Sequence, residues 1–197
     1  VFAADADAGQ VERVRRMAQT LAPSLPSSNF RAEPVEQMSF DDGCADVVLS
    51  SAVLHFARDD AHFESMLRGC WRVLKPGGLF FCRLASSIGM ENRMQPIEGR
   101  RCKLPDGTER YVVDEALLAL LTERMGEMVD PLKTTVVQDQ RAMTTWVVRK
   151  GPQSRLTVNS FDVALPHRDR AESFGGVSRS VISRPKPEET DAHPSDI

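Results

Sequence analysis

The chain has 197 residues, 41% of them hydrophobic, which is enough for one domain with a packed core. Its formal net charge of −3 gives no field that would draw in a polyanion, so nucleic acid is not an expected partner. No apolar run approaches the roughly 20 residues that span a bilayer and VFAADADAG lacks a signal-peptide layout, so membrane attachment is not expected and the expected location is cytoplasmic.

The first apolar run, Val1–Ala4, has the character of the end of a buried strand. Asp7 can cap a helix in which Val11, Val14, Ala18 and Leu21 recur at helical spacing until Pro23 stops it. Asn29–Ala32 is a short strand candidate. Asp46–Ser50 is unalternating and aliphatic, as expected for a strand covered on both faces. Asp60–Leu74 is the clearest helix: Phe63, Met66, Leu67, Cys70, Trp71 and Leu74 fall on one stripe, with Asp59 or Asp60 as N-cap. Lys75-Pro76-Gly77-Gly78 then turns the chain into a second buried strand, Leu79–Leu84.

Strands and helices alternating at this spacing mean parallel β-α-β units with helices on both sheet faces. Within Arg100–Val113, Asp106-Gly107 between two extended runs signals a hairpin. Asp114 caps a last helix to Met125, with Gly126 as its C′ residue. Thr134–Val137 and Met143–Val148 read as an antiparallel pair closing the sheet. The four cysteines, Cys44, Cys70, Cys82 and Cys102, form no C-x-x-C pair; they read as reduced thiols, and no metal site is expected. From Gly151 the composition turns to Pro, Ser and Arg without apolar period, so residues 151–197 are expected to be a disordered tail behind a domain at 1–150.

The stretch Ala45–Ala85, with its Lys75–Gly78 turn, resembles the middle of a class I S-adenosylmethionine-dependent methyltransferase of the type 11 kind. VFAADADAGQVERVRR is similar to the second strand and helix of that family. The resemblance covers Val1 to about Lys150 and implies a Rossmann-like three-layer α/β sandwich in strand order 3-2-1-4-5-7-6, with an antiparallel last strand. No glycine-rich G-x-G-x-G loop occurs, and Val1 already lies in a strand-like run. The expectation is an N-terminally incomplete domain that lacks the first strand and its loop and is inactive alone.

Ligands of open α/β sheets bind outside the carboxyl ends of the strands, so the candidate residues are those where strands stop. Asp5 ends the first run and could accept hydrogen bonds from both hydroxyls of a ribose, or it could merely cap the helix. The resemblance favours ribose for Asp5, with Ala6 beside it, and the cap for Asp7. Where relatives place an acid for the adenine amino group, this chain has Pro34. Either Glu33 substitutes, or the adenine is read through the backbone and apolar contact of Val35. Glu36 and His62 read as solvated.

Ser50 and Ser51 match the loop beneath the methionine part of the cofactor. His55 is the catalytic candidate, as a general base titrating near neutrality or else as a packing residue. Arg93, Arg100, Arg101, Lys103 and Arg110 make the hairpin region basic, attracting an anion or simply facing solvent. The implied cofactor is S-adenosyl-L-methionine and the implied partner a small-molecule methyl acceptor. The competing reading is a non-catalytic binding or regulatory module on a half-domain. A nicotinamide oxidoreductase is disfavoured, since no Tyr-x-x-x-Lys pair occurs.

Overall fold

The computed structural model describes residues 1–151; apart from Gly151, the expected tail lies outside the described residues. The chain begins with strand β1 (Ala3–Asp5), helix α1 (Ala8–Leu21) and strand β2 (Phe30–Ala32), the two strands pairing in parallel. Asp7 caps α1 as expected, accepting from the N–H groups of Gly9 and Gln10. Of the apolar positions on α1, only Val11 is buried; Val14, Met17 and Leu21 remain exposed.

Strand β3 (Ala45–Ser51), helix α2 (Asp60–Val73) and strand β4 (Leu74–Ser86) form the expected parallel unit. Asp59 is the α2 cap and accepts from the His62 N–H at 2.7 Å. The Lys75–Gly78 turn is a bulge inside β4: Ala45 faces Leu74 and Val47 faces Leu79, so the residues between loop out of the ladder. Lys75 reaches back from it to Asp46 at 2.7 Å.

A small antiparallel sheet follows, from β5 (Gln95–Glu98), β6 (Arg101–Lys103) and β7 (Glu109–Tyr111), with the Asp106-Gly107 tip at the expected place. Asp114 caps helix α3 (Glu115–Met125) through the Leu117 N–H. Strands β8 (Gly126–Val137) and β9 (Arg141–Lys150) complete the chain. Gly126 ends α3, but for a reason other than the expected C′ geometry. Its φ of 164° is ordinary extended backbone, and a Cβ there would stand 2.0 Å from the Arg149 carbonyl oxygen. Glycine lets β8 leave the helix hard against β9.

The strand order is β2-β1 in one sheet and β3-β4-β9-β8 in another, with β9 antiparallel to both of its neighbours. Deleting the first strand from 3-2-1-4-5-7-6 leaves this split. The fold is thus a Rossmann-like α/β arrangement with an antiparallel final strand, opened between β1 and β3.

The main core fills the space between α2, α3 and one face of the larger sheet. Phe63, Leu67 and Trp71 meet Leu117 and Leu121 over Phe80, Leu84 and Trp146. Phe80 lies edge-on between Trp71 and Trp146, whose indole N–H donates to Thr122 at 2.8 Å. Period-2 alternation sends the other side chains of β3 to the opposite face. There Val47 is 59% and Leu49 69% exposed. The expected two-sided burial of this strand fails on that face, because no described element covers it.

Candidate active site

The carboxyl ends of β1, β2 and β3 carry the residues singled out by the sequence. On β1, the Asp5 carboxylate is exposed and accepts the Asp7 N–H through Oδ1 at 2.8 Å. It holds no helix end, since Asp7 does that. Ala6 is exposed beside it.

Glu33 is engaged elsewhere. Both its carboxylate oxygens accept from Ser39, from the backbone N–H at 2.8 Å and the hydroxyl at 2.5 Å, and these bonds hold its pKa below the usual carboxylate value. The acid closes the loop 33–39 through these two bonds. Val35, in a short helical turn, is half-buried and packs on the main core. Glu36 and His62, expected to be solvated, form a partly buried pair at 3.1 Å that ties this turn to α2.

Alternation along β3 separates the two serines. Ser50 is buried, on the side of the Cys70 and Cys82 thiols, which burial pushes up, Cys70 to about 12. Its hydroxyl is on the core side, so only its backbone is available to a ligand. Ser51 is exposed on the open face. Ala52 follows with φ +60°, an unusual conformation for a residue with a Cβ, and its N–H donates to the Arg83 carbonyl at 2.8 Å. This turn throws the chain across the top of β4.

His55 lies in the next short helical turn and is buried, its ring edge-on to Phe56 at 4.6 Å. Nδ1 accepts the Ala85 N–H at 3.2 Å. Burial, reinforced by the guanidinium groups of Arg110, Arg141 and Arg83, lowers its pKa to about 4. At neutral pH the ring is therefore uncharged, with its proton on Nε2. In that tautomer it donates a hydrogen bond and has no free lone pair with which to take a proton.

A cavity of about 300 Å³ opens beside this ring, at the carboxyl ends of β3 and β4. Ala52, His55 and Phe56 form one wall, Arg83 and Ala85 the floor, and the tip of the β6–β7 hairpin a rim; Arg110, Arg141 and Met143 close the far side. Of the basic residues expected to matter here, only Arg110 lines it. Arg93 pairs with Asp139, Arg100 is buried against Asp114 and Arg101 pairs with Glu109. Arg83 and Arg141 were missed because they stand apart in sequence on separate strands. Their shared signal, arginine at the carboxyl end of β4 and the amino end of antiparallel β9, requires the register that brings Arg83 opposite Thr145.

Residues 1–82 match the family model described as a methyltransferase domain. The chain matches no curated protein by sequence. Among solved structures it is similar to an S-adenosylmethionine-dependent methyltransferase from Methanosarcina mazei (19% identity, 75% of this chain and 80% of that one, TM-score 0.54). It is also similar to the 1,6-didemethyltoxoflavin-N1-methyltransferase of Burkholderia thailandensis, crystallised with 1,6-didemethyltoxoflavin and S-adenosylhomocysteine (18%, 69% and 55%, TM-score 0.50). A third is a 4+2 cyclase, SpnF (16%, 75% and 65%, TM-score 0.57). The sequence match is a likeness of residues 1–82 to that domain model, and the structural likenesses show the fold.

Proposed function

We propose that this chain is the larger part of a class I methyltransferase domain that moves a methyl group from S-adenosyl-L-methionine to a small molecule. The observation that carries the reading is Asp5, an exposed carboxylate at the carboxyl end of a parallel strand, freed from helix capping by Asp7. A ribose diol needs such an acceptor. The residues fit the cofactor better at its ribose than at its adenine: Glu33 is committed to Ser39, so the adenine falls to the backbone and side chain of Val35.

S-adenosylmethionine, when bound, supplies an activated methyl on a sulfonium, so the protein's task is mainly in-line positioning. Asp5 would hold the ribose. Ser51 and the backbone of Ser50 would face the methionine part. The cavity floored by Arg83 and Ala85, next to Ala52, would hold the acceptor. His55, neutral with its proton on Nε2, would donate a hydrogen bond there, and a deprotonation step would fall to solvent or to the acceptor itself.

The same fold carries a cyclase among its neighbours, so fold alone does not settle the reaction. The test is S-adenosylhomocysteine binding followed by ligand-observed NMR: weak binding that Asp5→Ala abolishes supports the reading. Binding that ignores Asp5, or none even in a chain extended by a strand and glycine-rich loop, overturns it. The alternative, a binding or regulatory module, draws on the open edges of β1 and β3. It predicts that no added N-terminal strand restores turnover.

A further inference from the structure

Three guanidinium groups and one carboxylate face the cavity beside His55, an excess of positive charge around a space enclosed on its other sides by Phe56, Leu104 and Met143. Two of the three arginines, Arg83 and Arg141, make no side-chain hydrogen bond or ion pair among the described residues. The third, Arg110, is held in place by stacking on the Phe56 ring at 4.8 Å and by donating to the Glu109 carbonyl at 2.7 Å. The carboxylate, Asp106, is at the hairpin tip and is already bonded by Thr108, through both its N–H and its hydroxyl. It therefore offsets one charge and satisfies no guanidinium donor by a hydrogen bond.

Guanidinium donors that bond no acceptor among the described residues are matched by planar or tetrahedral oxyanions, which take them in pairs. The surrounding backbone is built to hold this arrangement. Gln138 and Asp139 both take positive φ in the β8–β9 turn, Arg93 pins Asp139 at 2.8 Å, and Arg141 follows as the first residue of β9. Ala52, with φ +60°, brings the other wall over β4.

We infer that this cavity is an oxyanion-recognition site, and that the small molecule it takes carries a carboxylate or phosphate next to an apolar body. The inference rests on the methyl-transfer reading only for calling that molecule the acceptor; the binding itself stands on the cavity. Arg83 and Arg141 grip the anion, Arg110 supports it from the Phe56 side, and the apolar body lies against Leu104 and Met143. A neutral imidazole at the same wall adds a donor that no cation in the ligand would want.

The probes are benzoate, phenyl phosphate and the uncharged benzamide, titrated into the full 197-residue chain with the His55 ring resonances observed by NMR. Benzoate or phenyl phosphate should shift those resonances saturably, and benzamide should not. Arg83→Gln and Arg141→Gln should each weaken the anion at least tenfold while the chain keeps its circular dichroism. The stronger of the two anions identifies which oxyanion the site prefers. Equal response to benzamide, or full anion affinity in both folded variants, overturns the inference. Should one variant fail to fold, the other and the benzamide comparison still decide. S-adenosylhomocysteine binding is measured separately on a chain extended by a strand and glycine-rich loop: its absence there with anion binding intact removes the methyl-transfer reading and leaves the oxyanion site.

Discussion

The Ala85 N–H donates to His55 Nδ1 at 3.2 Å, and this bond decides which nitrogen of the imidazole can act. With Nδ1 committed to the backbone of β4 and the ring buried, His55 stays neutral and carries its proton on Nε2. The same bond fastens the β3–α2 loop to the strand that floors the cavity, so the residue links packing and site.

A depressed histidine pKa makes stability depend on pH in a fixed direction. His55 falls from an ordinary value near 6.5 to about 4 in the fold. Between those values the unfolded chain binds the extra proton and the native one does not, so stability is lost as pH falls from about 6.5 towards 4. Replacing His55 by Gln removes this dependence. From pH 7 to pH 5 the wild-type chain should lose on the order of 1 kcal/mol more than His55→Gln, after allowance for the ring's partial contact with solvent. Urea melts at the two pH values measure it; parallel losses in the two proteins would contradict the assignment.

The roles of the two N-terminal aspartates should separate cleanly. Asp7→Ala removes the cap of α1 and should cost about 1 kcal/mol of stability. Asp5→Ala leaves the cap in place but removes the acceptor proposed for the ribose, where each hydrogen bond to a charged group contributes roughly 1.5–3 kcal/mol. Calorimetry on the chain extended by an N-terminal strand and glycine-rich loop should show cofactor affinity falling at least tenfold for Asp5→Ala. Intact affinity in Asp5→Ala with loss in Asp7→Ala would reverse the two roles.

The two faces of the larger sheet should respond differently to truncation. Leu84 is fully buried under α2 and α3, and Leu84→Ala should cost about 2–5 kcal/mol. Leu49 is 69% exposed on the opposite face, and Leu49→Ala should stay within about 0.5 kcal/mol of wild type. A large loss at Leu49 in denaturant melts would mean that something in the chain covers that face after all.

Gly69→Ala sets helix propensity against packing. In the middle of α2, alanine should gain about 1 kcal/mol over glycine. Yet a Cβ at this position would stand 2.1 Å from the Val35 carbonyl oxygen, where backbone meets backbone and neither can yield cheaply. Overpacking of this kind typically costs 1–3 kcal/mol, so the substitution should destabilise on balance. A thermal midpoint at or above wild type would show that the 33–39 loop gives way.

Local signals carried most of the fold. The Asp7, Asp59 and Asp114 caps, the stripe of α2 and the Asp106-Gly107 tip are short-range patterns, and the structure has each at its expected position. The site was less legible because its parts meet only through strand register. Arg83 and Arg141 are on different strands, and nothing near either one in sequence marks it. Ser50 and Ser51 look alike in the sequence, and only the pleat decides that one hydroxyl turns inward. Glu33 reads as a spare acid until the loop folds Ser39 back onto it. Exposure of Val47 and Leu49 was hidden for another reason: an apolar strand announces that it should be covered, and not whether a covering element is in the same chain.

The final prediction is that the 197-residue chain, tested alone, transfers no methyl group above background. Under the methyl-transfer reading Asp5 and Ser51 would face one cofactor, yet they lie on separate sheets, and among the described residues no strand joins β1 to β3. Their separation is then fixed only by indirect contacts, such as Phe2 against Phe40 at 5.2 Å and the Glu36–His62 pair. A displacement of about 1 Å can already cost on the order of a hundredfold in rate. The glycine-rich loop that would bring backbone close to the methionine end is also absent from the sequence. Purified chain incubated with radiolabelled S-adenosylmethionine and benzoate- or phosphate-bearing acceptors should leave all label on the cofactor. A chain extended by a strand and glycine-rich loop that fit between β1 and β3 should transfer it. Turnover by the chain alone would mean that β1 and β3 are held in register without a strand between them, and the incomplete-domain reading would fall.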